Sequence, residues 1–379
     1  MRISAVFLYA ALAAGGATTA MALPVFEKVP QSSRMHYPSV KAHIGGRTKS
    51  DETYVTVDSP YWDARQYQWP GTYFEGRFNG GTVFLKFDDS ANILQISVDG
   101  QTVATLNKPG LREYKISGLK ATAHVVRVER LTETQDAVGA FLGFAVPPGG
   151  KALPAPAPRA RQIEFIGDSY TSGYGNTSTK RECTQDEVWA TTDTQQAFGP
   201  QTAKHYKADY QINSFSGIGI VRGYDGGKGP QMPARYAFSL LDGPALYSDT
   251  SWNPQIVVIA LGGNDFSTPV HANEKWTTQE ELRADYIASY VAFVKQVRAT
   301  HPTASFVLMA YGEDEVIADT AEVMKRLNAG GETRVATFSV GKGFELTGCD
   351  WHLNLNDDKR ITDSLIGYFD AHPDLWQGK

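Results

Sequence analysis

A proline-rich stretch near the middle of the chain separates two different hydrophobic patterns. Residues 147–158 read Pro-Pro-Gly-Gly-Lys-Ala-Leu-Pro-Ala-Pro-Ala-Pro, a composition that keeps the backbone extended and offers little apolar surface for packing. The chain of 379 residues is also longer than one typical domain. We therefore predict two domains that are joined by a linker at residues 147–160.

The pattern before the linker predicts a β-sandwich at residues 23–146. Short alternating apolar runs follow one another between turn residues, with almost no helical periodicity. The run at residues 93–98, for example, ends at the turn signal Asp99-Gly100, and residues 125–131 alternate with a period of two. Regular short strands with Gly-rich turns are typical of all-β sandwiches.

The pattern after the linker predicts an α/β domain at residues 161–379. One longer segment carries an apolar stripe at helical spacing, from Leu282 through Tyr286 and Tyr290 to Val297. Strands that alternate with helices favour a parallel sheet with helices on both faces, which is a three-layer α/β/α arrangement. The expected strands lie near residues 162–166, 210–213, 256–261, 305–310 and 334–338.

The amino terminus and the charge balance bear on location and partners. Residues 1–22 combine Arg2, a short apolar run and the small-residue site Ala20-Met21-Ala22, as an export signal does, so we expect a secreted or periplasmic protein. No later segment is long enough to span a bilayer, and we expect no membrane partner. A net charge of −5 without long Lys or Arg runs argues against nucleic acid. We expect a monomer.

Two cysteines, Cys183 and Cys349, are present. In an oxidising compartment two such cysteines commonly form a disulfide. That bond would connect the segment after residue 169 to the segment before residue 352. The alternative, two buried free thiols, stays open at this point.

Ser169 is the candidate nucleophile. Residues 163–166, Ile-Glu-Phe-Ile, indicate a short buried strand, and Gly167-Asp168-Ser169-Tyr170 follows where the chain must turn sharply. In open α/β sheets the active crevice forms beyond the carboxyl ends of the strands. A serine at this position can therefore direct its hydroxyl into a crevice.

His352 is the candidate base, because a serine hydroxyl needs a partner that titrates near neutral pH. Asp350 lies two residues earlier, and in an extended loop both side chains point the same way, so its carboxylate is expected to orient the imidazole. Alternatively, Asp350 is a solvated acid and a backbone carbonyl holds His352. His271 is the one rival base.

Two further motifs supply donors for an oxyanion. The Ser169 N–H, the Gly217 N–H and the Asn264 side-chain amide are expected to bind the negative oxygen that forms when a hydroxyl attacks an acyl carbon. A glycine at position 217 lets the backbone approach that oxygen closely. We find no metal-ligand spacing and no dinucleotide or phosphate loop, so we expect no metal and no cofactor.

At these residues the chain resembles the SGNH (GDSL) hydrolase superfamily, whose signature positions match Ser169, Gly217, Asn264 and His352. It is most similar to carbohydrate esterase family 2, in which a β-jelly-roll domain precedes the SGNH domain. One position departs from the superfamily: its acid usually stands three residues before the histidine, whereas Asp350 stands two before His352. Some members of carbohydrate esterase family 2 use a Ser-His dyad. The stretches similar to family 2 are residues 71–78, 98–100, 167–175 and 349–352.

The resemblance implies a secreted esterase that removes O-acetyl groups from hemicellulose-type polysaccharides or oligosaccharides, such as xylan or glucomannan. Trp351 and Tyr170, beside the base and the nucleophile, are expected to stack on a sugar ring or else to be buried core aromatics. Two alternatives remain. One is a lipid or aryl esterase that prefers long acyl chains, and the other is a noncatalytic carbohydrate-binding protein.

Overall fold

The structure is a computed structural model that describes residues 24–30, 37–54, 63–312 and 314–377. The predicted export signal at residues 1–22 lies outside these ranges. Within them, no helix combines the length and the apolar character needed to cross a lipid bilayer.

The strands are β1 Val25–Lys28, β2 Ser39–Val40, β3 Ala42–Gly45, β4 Thr48–Ser50, β5 Arg65–Tyr67, β6 Tyr73–Asn79, β7 Val83–Asp89, β8 Ile93–Val98, β9 Gln101–Asn107, β10 Gly110–Ser117, β11 Ala123–Arg130, β12 Gly139–Ala145, β13 Lys151–Ala152, β14 Gln162–Gly167, β15 Asp209–Ser214, β16 Ile256–Ala260, β17 Ser305–Ala310 and β18 Val335–Ser339. The helices are α1 Ser169–Ser172, α2 Gln185–Thr191, α3 Phe198–His205, α4 Met232–Arg235, α5 Gln279–Thr300, α6 Asp314–Ala329 and α7 Leu355–Ala371.

The amino-terminal half is a sandwich of two antiparallel sheets, as predicted. One sheet has the order β1-β10-β7-β12-β5-β4, with β2 added to β12, and the other has the order β13-β6-β11-β8-β9, with β3 added to β6. Aromatic side chains fill the space between them. Phe74 on β6 and Phe141 on β12 are both buried, and their ring centroids lie 4.4 Å apart across the sandwich. The alternating pattern thus buries one face of each sheet against the other.

The stretch predicted as linker contains a strand of the sandwich. β13 pairs with the end of β6, and the Leu153 N–H extends this pairing to the Arg77 carbonyl at 3.0 Å. The prolines of this stretch lie on either side of residues 149–153, which leaves these amides free to join a sheet.

The carboxyl-terminal half is a three-layer α/β/α domain, again as predicted. Its parallel sheet has the order β15-β14-β16-β17-β18, and β14 and β16 lie next to each other near its centre. Neighbouring residues of β16 point to opposite faces: Val257 and Ile259 pack with α5 and α6, while Val258 packs with α3 and α7. Because the strand is buried on both sides, it is apolar at every position.

This topology places the candidate residues at one edge of the sheet. Ser169 follows β14, Gly217 follows β15 and Asn264 follows β16, and the three strands are parallel neighbours. The carboxyl ends of parallel neighbours meet at the same edge, so the loops that carry these residues converge there.

A buried ion pair connects the two domains at a distance from that edge. Arg47, between β3 and β4, is 1 % exposed, and its Nη2 lies 3.2 Å from Oε1 of Glu164 on β14. Burial by itself would raise the pKa of Glu164, but contacts with His301 and Arg47 lower it to about 2. The sandwich therefore supplies one of the two basic side chains that pair with this buried carboxylate of the α/β domain.

Candidate active site

Ser169 is fixed at the first turn of α1, directly after β14. The Asp168 side chain caps this turn by accepting the Tyr170 N–H at 3.1 Å. Gly167 is required because a Cβ there would lie 2.0 Å from Oγ1 of Thr171. The strand, the cap and this close packing together determine where the Ser169 hydroxyl lies.

His352 lies within hydrogen-bond reach of the nucleophile. Its Nε2 is 2.9 Å from Oγ of Ser169, although the two residues are 183 positions apart in the chain. The other ring nitrogen, Nδ1, lies 3.0 Å from the Cys349 carbonyl and 3.1 Å from the Asp350 carbonyl. Carbonyl oxygens only accept, so Nδ1 carries the hydrogen and Nε2 presents a lone pair to the serine hydroxyl.

The Asp350 carboxylate does not contact the imidazole in the way expected for an extended loop. It instead accepts a hydrogen bond of 2.9 Å from the Tyr174 hydroxyl. Asp350 and Trp351 have left-handed φ angles of 51° and 58°, so the residues before His352 form a tight turn. The turn directs carbonyls toward Nδ1, which is the alternative arrangement considered above.

A disulfide holds this turn in place. Cys183 and Cys349 are bonded, as the predicted pairing requires. The Cys349 N–H donates to the Gly175 carbonyl at 3.2 Å. Gly175 has a φ of +55°, and a Cβ at this position would lie 2.4 Å from the Cβ of Cys349. The segment after the nucleophile and the segment before the base are therefore in direct contact.

Asn264, predicted as an oxyanion donor, lines the same cleft as Ser169. Its Nδ2 donates to the Ile218 carbonyl at 2.8 Å and, over a longer 3.3 Å, to the Asp168 carboxylate. The longer contact is the one that an incoming oxyanion can replace.

Gly217 has the left-handed φ of +82° that glycine tolerates. Its carbonyl accepts the Tyr224 N–H at 2.9 Å, and Tyr224 lines the same cleft as Ser169. Gly217 itself is not among the residues that line this cleft.

Two buried carboxyl groups, which we did not single out from the sequence, organise these loops. Asp168 is 3 % exposed, and burial raises its pKa to about 7. Asp265 has no exposed surface, and burial raises its pKa to about 6. Asp265 accepts the backbone N–H groups of Ile220 and Arg222 and so holds the loop after Gly217. Asp168 directly precedes Ser169, and Asp265 directly follows Asn264. These positions next to predicted site residues were the sequence signal that could have identified them.

Burial lowers the pKa of His352 from its ordinary value of 6.5. The two carbonyl contacts and the charge of Asp350 act in the opposite direction but do not cancel this effect. The imidazole is therefore neutral near pH 7 and able to accept a proton.

The site opens into a cleft of about 420 Å³ with exposed aromatic walls. Trp351 is 56 % exposed and Tyr224 is 64 % exposed, and both line this cleft. Tyr170 also lines it, but its ring stacks on Tyr311 at 4.8 Å and meets the His352 ring edge-on at 5.5 Å. Of the two predicted stacking residues, Trp351 thus has a free face, while Tyr224 was missed by the sequence analysis.

His271 is placed away from this arrangement. Its ring nitrogens lie 3.3 Å from Glu274 and 3.5 Å from Asp225, and it does not line the cleft. Among the residues with described positions, no group of three or more His, Cys, Asp or Glu side chains could hold a metal ion.

Comparison with known proteins gives the same two-part organisation. Residues 57–156 match the family model described as carbohydrate esterase 2 N-terminal, and residues 165–372 match the GDSL-like lipase/acylhydrolase family. An acetylxylan esterase / glucomannan deacetylase of Cellvibrio japonicus is 45% identical over 342 residues, which is 88% of this chain and 92% of that protein.

Comparison with solved structures indicates the same family and fold. A carbohydrate esterase whose active site is described as having divergent catalytic and non-catalytic binding functions is 43% identical, with a TM-score of 0.83 over 89% of this chain and 100% of that one. A family two carbohydrate esterase from Clostridium thermocellum, solved with cellohexaose, shares the fold at 24% identity, with a TM-score of 0.75 over 88% of this chain and 100% of that one.

A parallel α/β domain of this type, preceded by this sandwich, defines a carboxylic ester hydrolase that acts as a carbohydrate acetyl esterase. The chain belongs to the GDSL-like lipase/acylhydrolase family and carries the amino-terminal domain of carbohydrate esterase family 2. The predicted family and fold class are confirmed.

Proposed function

We propose that this esterase removes O-acetyl groups from hemicellulose-type polysaccharides or oligosaccharides through an acyl-enzyme on Ser169. The observation that carries the proposal is the 2.9 Å contact between Oγ of Ser169 and Nε2 of His352, together with the tautomer that two carbonyls impose. A serine hydroxyl becomes a useful nucleophile only when a correctly oriented base takes its proton.

The reaction proceeds in two halves. His352 removes the Ser169 proton as Oγ bonds to the acetyl carbon, and the protonated imidazole then gives that proton to the departing sugar oxygen. Water attacks the acyl-enzyme with His352 again as base, which releases acetate and restores Ser169. In both halves the carbonyl oxygen becomes an anion, which the N–H groups of Ser169 and Gly217 and the amide of Asn264 stabilise.

Two observations support a carbohydrate substrate that carries small acyl groups. Trp351 and Tyr224 offer exposed aromatic surface at the cleft, and aromatic rings stack well on the apolar faces of sugars. The Cellvibrio japonicus relative, 45% identical, is named for xylan and glucomannan substrates.

We also propose that the protein is secreted or periplasmic. The disulfide between Cys183 and Cys349 suits an oxidising compartment, and residues 1–22 have the pattern of an export signal.

Replacing the nucleophile tests the mechanism. Ser169→Ala is expected to lower kcat on 4-nitrophenyl acetate and on acetylated xylan by about 10⁴-fold or more, because no acyl-enzyme can form. Ser178→Ala, a serine that donates to the Lys180 carbonyl at 2.7 Å, is the matched control and should retain full activity. Turnover that survives in Ser169→Ala would contradict the serine mechanism.

The substrate class is tested with two panels. Acetate release should be fastest from acetylated hemicelluloses, and activity on 4-nitrophenyl esters should fall from acetate to octanoate. A preference for octanoate would instead indicate a lipid-type esterase. Glycan binding without any acetate release would indicate a carbohydrate-binding protein.

A further inference from the structure

We propose that the β-sandwich supplies a positioning clamp, formed by Glu133 and Gln135, which aims the Gly217 N–H at the oxyanion. This inference rests on the proposed function and concerns how the same site is built. The two clamp residues lie in the sandwich between β11 and β12, whereas Gly217 lies in the α/β domain after β15.

The two clamp residues form hydrogen bonds with Ser216, the residue directly before Gly217. Oε1 of Glu133 accepts the Ser216 N–H at 2.7 Å, and its Oε2 accepts the Ser216 hydroxyl. Nε2 of Gln135 donates to the Ser216 carbonyl at 3.0 Å. Every polar group of Ser216 therefore has a partner from the other domain.

The contact to the Ser216 carbonyl controls the direction of the donor. That carbonyl and the Gly217 N–H belong to one peptide unit, which is planar and trans, so the two groups point in opposite directions. When Gln135 fixes the oxygen, it also fixes where the N–H points. The following carbonyl, that of Gly217, is held by the Tyr224 N–H at 2.9 Å.

This hold matters because Gly217 has a φ of +82° and no side chain to restrict it. A glycine loop without external contacts samples several directions, and an oxyanion donor is effective only when it is aimed before the charge develops.

The clamp is itself supported within the sandwich. Nε2 of Gln135 also lies 3.3 Å from Oε1 of Glu133, which links the two clamp residues. The Gln135 carbonyl accepts a hydrogen bond of 2.8 Å from Nε2 of Gln68. The clamp is thus a connected network and not a single contact between loops.

The test compares three variants of the full-length enzyme. Gln135→Leu removes the donor to the Ser216 carbonyl, and Glu133→Gln keeps one acceptor oxygen while removing the other. Glu75→Gln is the matched control, because Glu75 is a sandwich carboxylate at the same domain interface that binds Arg127 and Arg159 and not Ser216.

We expect kcat to fall about 10- to 100-fold in Gln135→Leu and by a smaller factor in Glu133→Gln, which is less than the loss of an entire oxyanion donor. KM should stay within about twofold, and the fold-change should be equal for 4-nitrophenyl acetate and a sugar acetate, because both reactions form the same oxyanion. Glu75→Gln should keep the native kcat.

Three results would overturn the clamp. These are a native kcat in both clamp variants when thermal unfolding shows them folded, an equal loss of kcat in Glu75→Gln, and a change confined to KM. An unfolded Gln135→Leu would leave Glu133→Gln to decide. Failure of the proposed function looks different, because the unaltered enzyme would then release no acetate from acetylated sugars or would prefer 4-nitrophenyl octanoate to the acetate.

Discussion

The imidazole of His352 is held by main-chain oxygens, which set its tautomer without bringing a full negative charge into contact with the ring. The Asp350 carboxylate is occupied by the Tyr174 hydroxyl and acts on His352 only through its charge, which raises the pKa of His352 against the larger lowering effect of burial. At the scale of residues, the site therefore has the hydrogen bonds of a Ser-His dyad.

The variant Asp350→Asn tests the dyad interpretation through the pH dependence of kcat/KM. Activity requires a neutral imidazole, so it falls as the pH drops below the pKa of His352, and this acidic limb should lie below pH 6.5 in the native enzyme. Removing the Asp350 charge should move the limb to lower pH, since that charge raises the pKa. Loss of activity at pH 8 should stay within about tenfold, whereas loss of a triad carboxylate costs about 10⁴-fold.

Asp363→Asn is the matched control for this measurement. Asp363 is exposed on α7 and pairs with Lys359 at 2.6 Å, so its removal should leave both the limb and the rate unchanged. A loss of about 10⁴-fold in the kcat/KM of Asp350→Asn would contradict the dyad interpretation.

At the scale of elements, the segment after α1 and the turn before α7 form one unit. Besides the disulfide, the Asp350 N–H donates to the Arg181 carbonyl at 2.5 Å, and Nε of Arg181 donates to the Leu346 carbonyl at 2.7 Å. The turn that presents two carbonyls to His352 is thus held from the side of the nucleophile.

The double variant Cys183→Ser/Cys349→Ser tests the contribution of the disulfide. It is expected to lower the free energy of unfolding by about 2–5 kcal/mol, because the bond closes a long loop, the cysteines being 166 positions apart. We also expect kcat to fall about tenfold as the His352 carbonyl contacts loosen. Urea unfolding and ester hydrolysis measure the two effects.

Dithiothreitol provides the control for this prediction. It should reproduce both losses in the native enzyme and change nothing in the double variant. Full activity of the double variant would show that the remaining backbone contacts suffice to hold the turn.

The elements could be predicted from the sequence where the pattern is local. The apolar stripe through Leu282 and Tyr290 predicted α5, and the apolar run before Ser169 predicted β14. The topology of parallel strands predicted the place of Ser169, whereas His352 was predicted from its chemistry, from its short motif and from the resemblance to SGNH hydrolases. The left-handed turn at Asp350 could not be predicted, because two non-glycine residues rarely adopt such φ angles in succession.

Contacts between the domains also could not be predicted from the sequence. Glu133 lies 83 positions from Ser216 and belongs to a different domain, and nothing in either local pattern pairs the two. The position of Tyr224 at the cleft could not be predicted either, because it depends on which cleft its loop faces.

At the scale of the whole molecule, the domain interface contains buried charge as well as apolar surface. Arg47 and Glu164 form an ion pair with side chains that are 2 % and 0 % exposed. The guanidinium also lies 4.3 Å from the ring centroid of Tyr236, in the α/β domain. Removal of Arg47 would leave the buried Glu164 carboxylate with His301, whose Nε2 lies 2.8 Å away, as its remaining basic partner.

Arg47→Met is expected to lower the free energy of unfolding by about 3–5 kcal/mol, the usual cost of breaking a buried ion pair. Arg326→Met is the control, because Arg326 is half exposed on α6 and forms a surface pair with Glu322 at 2.9 Å, worth less than about 1 kcal/mol. Urea unfolding of both variants measures the difference. Equal losses would contradict the structural importance of the interface pair.

The Arg47–Glu164 pair restricts how this scaffold can be shortened or recombined. A fragment that begins after residue 160 would retain the Glu164 carboxylate in the middle of its sheet but would lack the guanidinium that faces it. An engineer who seeks a minimal catalytic fragment, or who exchanges the sandwich for another binding module, therefore leaves His301 as the remaining basic partner of this carboxylate, unless Glu164 is replaced with an uncharged residue or the arginine is transplanted with its loop.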